Sequence, residues 1–178
     1  PGGFVKMDES LEQAAKRELS EETGVRDVYL EQLYTFGDPK RDPRGRVITI
    51  SYIALINSEH IKLEASTDVS DAHWFSVKKQ PQLAFDHENI LAYALKRLMW
   101  KFEYTTLAFS LLPKKFSIGQ IQKMYEIVFD KKFDKRNFSK KLLSLDILKE
   151  EEVNRAVSYR PPMLYSLKKD IGEIVEIL

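Results

Sequence analysis

Glu18, Glu21 and Glu22 stand at i, i+3 and i+4, a spacing that a helix turns into one acidic face. Carboxylates held that close repel one another and weaken the helix unless positive charge lies among them. A divalent cation, Mg²⁺ or Mn²⁺, is the natural neutraliser, because hard cations take oxygen ligands and often share them with phosphate groups. Lys16 and Arg17 offer another solution, a solvated acidic face balanced by nearby cations. The three glutamates by themselves leave both open.

The acidic face needs a helix to carry it. Asp8 or Ser10 can cap one that runs to about Thr23, where Gly24 supplies a left-handed cap. Leu11, Ala14, Ala15 and Leu19 make its apolar stripe. Residues 28–36 and 46–56 read as strands, the second so apolar that a central position is expected. Between them lies a charged loop, 37–46, rich in turn formers. Residues 72–77 read as a further short strand, and 86–102 as a helix with Ile90, Leu91, Ala94, Leu95 and Leu98 among its apolar positions.

The second half has a different grammar. Ser117, with Gln120 three residues on, forms a capping box for a helix to about Phe129. Asp134 caps another through residue 145, with Phe138, Leu142 and Leu145 on one side. Residues 146–167 then read as strand, charged turn and strand. Helix, turn, helix and hairpin in this order is the plan of a winged helix.

Composition narrows the class. The chain has 178 residues, 43% of them hydrophobic and 31% charged, which suits one large or two small domains. No cysteine is present, so disulfides, thiolate metal sites and cysteine nucleophiles are excluded. No apolar run approaches the roughly 18 residues of a membrane span, and the expected location is cytoplasmic, with no membrane partner. Residues 1–103 hold 14 Lys/Arg against 17 Asp/Glu, whereas 104–178 hold 14 against 10. Residues 113–149 carry a net +6. That asymmetry suggests two modules with different partners, although a basic face can also be merely solvated.

The longer pattern around the glutamates decides more than they do alone. Gly3, Glu9, Arg17-Glu18-Leu19, Glu21-Glu22 and Gly24-Val25 fill every fixed position of the Nudix box, G-x5-E-x7-R-E-U-x-E-E-x-G-U, where U is aliphatic. The chain thus resembles the Nudix hydrolases, which cleave nucleoside diphosphates linked to another group with a bound divalent metal. The resemblance implies an α+β fold, an α/β/α sandwich around a mixed sheet over 1–103, whose first strands would precede Pro1. It implies catalytic roles for Glu9, Arg17, Glu18, Glu21 and Glu22. Glu18 and Glu22 would be the principal ligands of Mg²⁺ or Mn²⁺, with Glu21 and the Gly3 carbonyl assisting. Arg17 would orient these carboxylates, and Glu9 would pair with Arg17. Glu64, Asp68 and Asp71 are candidates for the general base, though each also suits an ordinary loop position.

Loop 37–46, the segment "LAFDH" at 83–87 and the second half narrow the resemblance to proteins that join a Nudix domain to a C-terminal winged helix, here 104–178. This group includes NrtR-type regulators that bind DNA as dimers and sense ADP-ribose or another ligand. Lys135, Arg136, Asn137, Lys140 and Lys141 would then lie on the exposed side of a recognition helix, with Arg160 on the wing. Lys114, Lys115 and Arg155 could add phosphate contacts. Packing or dimerisation is the alternative use of such a module. In the loop, Arg41, Arg44 and Arg46 could pair with substrate phosphates, unless they are only solvated. Pro39 and Pro43 lie where ADP-ribose hydrolases often carry a proline. Many regulators of this group have lost box carboxylates, whereas all are present here. The expectation is therefore a hydrolase of ADP-ribose or a similar nucleoside diphosphate derivative first, and a DNA-binding regulator second.

Overall fold

Ser10 is the residue that starts the first helix in the computed structural model, which describes residues 1–28, 30–56, 63, 72–151, 162–172 and 174–178. Its hydroxyl accepts from Gln13 N–H at 3.2 Å, while the Gln13 side chain accepts from Ser10 N–H at 2.7 Å. This reciprocal box satisfies two donors that a helix start leaves orphaned. Helix α1 spans Leu11–Thr23 and ends where Gly24, at φ 73°, turns left-handed and donates to the Ser20 carbonyl. Ala14 is buried, and Ala15 and Leu19 are half-buried. Leu11 departs from the expected stripe: it is 42% exposed, at the first turn, where packing stops.

Strand β1, Leu30–Phe36, pairs antiparallel with β2, Thr49–Ala54, from Leu30 opposite Ala54 to Phe36 opposite Thr49. The register shifts between Gln32 and Tyr34, an irregularity of the bulge type that re-aims the strand beyond it. The apolar β2 is half-buried along its length, and among the described residues β1 is its only strand partner. The expected strand at 72–77 does not form. The segment joins neither sheet of the described residues, and Trp74, Phe75 and Val77 are all at least half exposed, so little burial favours a strand here.

Helix α2, His87–Tyr104, carries its apolar residues at helical spacing, with Ile90, Leu91, Ala94, Leu95 and Leu98 half-buried. The chain divides into two compact units, Pro1–Ala94 and Leu95–Leu178, so the division falls within this helix. Phe102, near its end, belongs to the core of the second unit.

That second unit contains a short α3, Leu107–Ser110, an element that no spacing or cap in the sequence signals. It continues with α4, Ile118–Phe129, α5, Lys135–Ser144, and the antiparallel pair β3, Leu148–Glu151, and β4, Leu164–Leu167. The Ser117–Gln120 capping box forms as expected, and Asp134 caps α5 by accepting from Asn137 N–H at 2.8 Å. Phe116 exchanges backbone hydrogen bonds with Tyr165 at 2.9 and 2.7 Å, adding a third extended segment beside β4. Phe102, Phe116, Ile121, Tyr125, Leu142 and Ile177 are nearly inaccessible and form the centre of the core. The Tyr125 hydroxyl donates to the Phe102 carbonyl at 2.8 Å, satisfying one of the last carbonyls of α2. No helix among the described residues is long and apolar enough to cross a membrane.

Candidate functional site

Helix α1 brings Glu18 and Glu21 together around the Arg17 guanidinium. Arg17 makes a bidentate pair with Glu9 at 2.9 and 2.6 Å, and its Nη1 donates to Glu18 at 2.6 Å and Glu21 at 3.0 Å. Nη2 also donates to the Phe4 carbonyl at 3.2 Å, so one side chain ties the helix to the segment before it. Glu9 accepts a further bond from Lys6 N–H at 2.9 Å. Arg17, and then the Lys6 amide, hold the Glu9 carboxyl down at about 2 against an ordinary 4.5. The same contacts, led by Glu9, raise the Arg17 pKa.

Gly3 passes so close to this face that a Cβ there would overlap the Glu18 carboxylate, falling 2.7 Å from its Oε2. Glycine is what lets the chain lie against Glu18. Glu22 turns towards the same segment and accepts from Gly2 N–H at 3.1 Å. The donor set, a row of carboxylates, has the chemistry a hard divalent cation requires. Among the described residues no three acidic or imidazole side chains already converge as a cage. Arg17 supplies the positive charge between Glu18 and Glu21.

The loop arginines have partners of their own. Arg41, 7% exposed, makes a bidentate pair with Asp86 at 2.9 and 2.7 Å, tying loop to the start of α2. Arg44 pairs with Asp42 at 3.0 and 2.8 Å and lies 4.4 Å from the centroid of the Phe85 ring. That pairing depresses the Asp42 pKa to about 2. Arg46 donates to the Gly37 carbonyl at 2.8 Å. Arg41 and Asp86 also line a cleft of about 720 Å³ with Tyr34, Phe36, Phe85 and Asn89. A ligand there would meet aromatic faces and an already neutralised ion pair rather than three free guanidiniums.

Helix α5 offers a different surface. Lys135, Arg136, Asn137, Lys140 and Lys141 are all exposed, while Phe138 and Leu142 fix the opposite side in the core. None of the four cations makes an ion pair among the described residues. Lys115 does, with Glu151 at 2.9 Å, which removes it from the free positive surface. Lys114 is exposed. Arg155, Arg160, Glu64, Asp68 and Asp71 lie outside the described residues.

Glu126 organises the turn that leads into α5. It accepts from Lys132 Nζ at 2.8 Å and from Phe133 N–H and the Gln122 amide at 3.1 Å each. Lys132 first, then these donors, lower its pKa from 4.5 to about 2. A depressed carboxylate stabilises the fold fully above its unfolded pKa, so this contribution should hold above about pH 4.5 and fade as pH falls towards 2. Carboxyl-carbon NMR should therefore show Glu126 titrating near 2, and Lys132→Ala should move it upward. A native midpoint near 4.5 would contradict this arrangement.

Sequence reading missed Asp86, the aromatic cleft and the role of Glu126. Asp86 stands 45 residues from Arg41, and no local spacing signals such a pair. Glu126 was legible in principle, as an acid one turn before a Lys-Lys pair at the end of a capped helix.

Residues 1–97 match the NUDIX domain family and residues 108–167 the NrtR DNA-binding winged helix domain family. An ADPR responsive transcriptional repressor, NtrR, from Acinetobacter baylyi is 35% identical over 93% of this chain and 67% of its own length. An ADP-ribose pyrophosphatase from Methanocaldococcus jannaschii is 44% identical, but over 51% of this chain and 53% of its own. The crystal structure of Shewanella oneidensis NrtR complexed with a 27mer DNA covers 99% of this chain and 84% of that one, at 33% identity and a TM-score of 0.75. The chain belongs to the Nudix superfamily, in the group that joins a Nudix domain to an NrtR-type winged helix.

Proposed function

We propose that this protein is a ligand-responsive DNA-binding regulator. Its Nudix unit binds ADP-ribose or a similar nucleoside diphosphate-linked compound, and a homodimer presents α5 to duplex DNA. The carrying observation is the free cationic face of α5 on a winged helix of a DNA-binding family, in one chain with a Nudix domain. This reverses the order expected from the box, because the likeness to the repressor extends along 93% of the chain and that to the pyrophosphatase along 51%. Lys135, Lys140 and Lys141 suit phosphates, and Arg136 and Asn137, on the first turn, suit base edges. Such a role also supports a cytoplasmic location. To test it, full-length protein is incubated with a pool of randomised duplexes and the bound fraction sequenced. A dimer should enrich a two-part site with half-sites about 10 base pairs, or a multiple, apart. A pool that stays random would sink the regulator reading.

The intact carboxylate set favours retained hydrolysis as a second activity. Glu18, Glu22 and Glu21, with the Gly3 carbonyl, would hold Mg²⁺ or Mn²⁺. When bound, the ion supplies charge neutralisation on the pyrophosphate and a lowered pKa for attacking water. Arg17, anchored by Glu9, fixes the carboxylates in place, and its bidentate geometry is one that lysine cannot reproduce. Chromatography after incubation with Mg²⁺ and ADP-ribose should show AMP and ribose 5-phosphate. Unchanged substrate would leave a sensor without turnover.

A further inference from the structure

The turn between α4 and α5 contains a lysine that is ordered by its neighbours yet left with its charge available. Asp130, at φ 49°, ends α4 in the left-handed region, and the next amide, Lys131 N–H, donates back to the Glu126 carbonyl at 3.3 Å. Lys131 Nζ then lies 4.8 Å from the centroid of the Phe133 ring and 5.4 Å from that of Phe129. The two rings stand edge to face at 87°, and Phe133 in turn packs against the buried Phe138 of α5. Ring faces attract a cation but cancel none of its charge.

The Glu126 carboxylate at the end of α4 is engaged elsewhere. Glu126 is occupied by Lys132, the Phe133 amide and Gln122, and Lys131 has no ion pair among the described residues. Its ammonium is therefore exposed and held by two aromatic rings, four residues before the first residue of α5. A free surface lysine loses much of its rotamer freedom on gripping a phosphate. One already restrained loses less, which favours binding.

The geometry points to Lys131 as a DNA backbone contact, a positioning residue that sets how α5 enters the groove, with Phe129 and Phe133 as its support. This rests on the DNA-binding reading and adds a residue outside the recognition helix. Such a contact acts on every sequence alike, because phosphates carry no sequence information.

The test compares wild-type, Lys131→Gln, Lys131→Arg and Phe133→Leu full-length proteins by fluorescence anisotropy on specific and random duplexes at several salt concentrations. Lys131→Gln should weaken binding to both duplexes by about threefold to tenfold per protomer and flatten the salt slope by about 1.8, one phosphate's worth from each half of the dimer. Lys131→Arg should restore the slope. Phe133→Leu should weaken binding while keeping the slope, since the charge remains but its support is gone. Circular dichroism melts run alongside identify any variant that loses its fold. Should folded Lys131→Gln bind with wild-type affinity and slope, the contact is refuted and the lysine merely braces the turn. Should wild type itself bind no duplex, the regulator reading falls first and the contact falls with it.

Discussion

Glu22→Gln is expected to lower Mg²⁺-dependent cleavage of ADP-ribose by at least about 10²-fold, close to 2.7 kcal/mol of transition-state stabilisation. The change keeps the side chain's shape and removes one ligand charge. Glu22 lies on the same face of α1 as Glu18 and accepts from the Gly2 amide, a bond that glutamine's carbonyl oxygen can still accept. Folding should therefore survive and the loss should be chemical. Glu12→Gln is the matched control, because Glu12 pairs with Lys16 at 2.6 Å in an exposed i, i+4 contact away from the acidic face. That variant should retain full turnover. Steady-state rates for the three proteins at saturating metal decide the matter, and equal rates for Glu22→Gln and wild type would remove Glu22 from the metal site.

Each protomer's α5 should contribute about a 10²-fold fall in duplex affinity when salt is raised fourfold. Each cation that neutralises a phosphate contributes about 0.9 to the slope of log affinity against log salt, and α5 exposes Lys135, Arg136, Lys140 and Lys141. Replacing Lys140 and Lys141 with alanine should halve this contribution, so the same salt change costs only about tenfold per protomer. Both residues are exposed and unpaired among the described residues, while the helix is held by Phe138 and Leu142, so stability should change little. Arg136→Ala should instead narrow the gap between specific and random duplexes, by about 1–3 kcal/mol, because a base contact discriminates and a phosphate contact does not. An unchanged slope in the double variant would place the DNA surface elsewhere.

How much of this was legible depended on whether the determinant was local. The helix caps at Ser10, Gly24, Ser117 and Asp134 are written in a few adjacent residues, and all four form. The Nudix box is local too, so the resemblance it carries already implies the pairing of Glu9 with Arg17. Non-local determinants were lost. Residues 72–77 carry Trp74, Phe75 and Val77, types that suit a strand, yet pairing is decided elsewhere in the chain, and the segment joins neither sheet of the described residues. Leu11 fits the apolar period of α1 but stands at its open end. By sequence Arg41 suits a phosphate-binding cation, because Asp86 is distant, whereas the fold pairs the two and buries Arg41. Charge counting likewise set Lys115 among the DNA cations, and the hairpin's Glu151 takes it. Phe129 and Phe133 pack against the core of the second unit. Their second use, as faces for Lys131, appears only when the turn between α4 and α5 is seen in three dimensions.

Fluorescence anisotropy on the duplex enriched by selection, with and without ADP-ribose, tests most directly whether one chain joins a sensor to a DNA reader. If it does, saturating ADP-ribose should change duplex affinity by about 5- to 150-fold, the usual range of coupling between two sites. Calorimetry on the same protein should then show saturating duplex changing ADP-ribose affinity by the same factor, because linkage is reciprocal. Sequence-specific binding that ADP-ribose leaves unchanged, with ADP-ribose affinity equally indifferent to DNA, would contradict a ligand-responsive regulator and leave two independent modules on one chain.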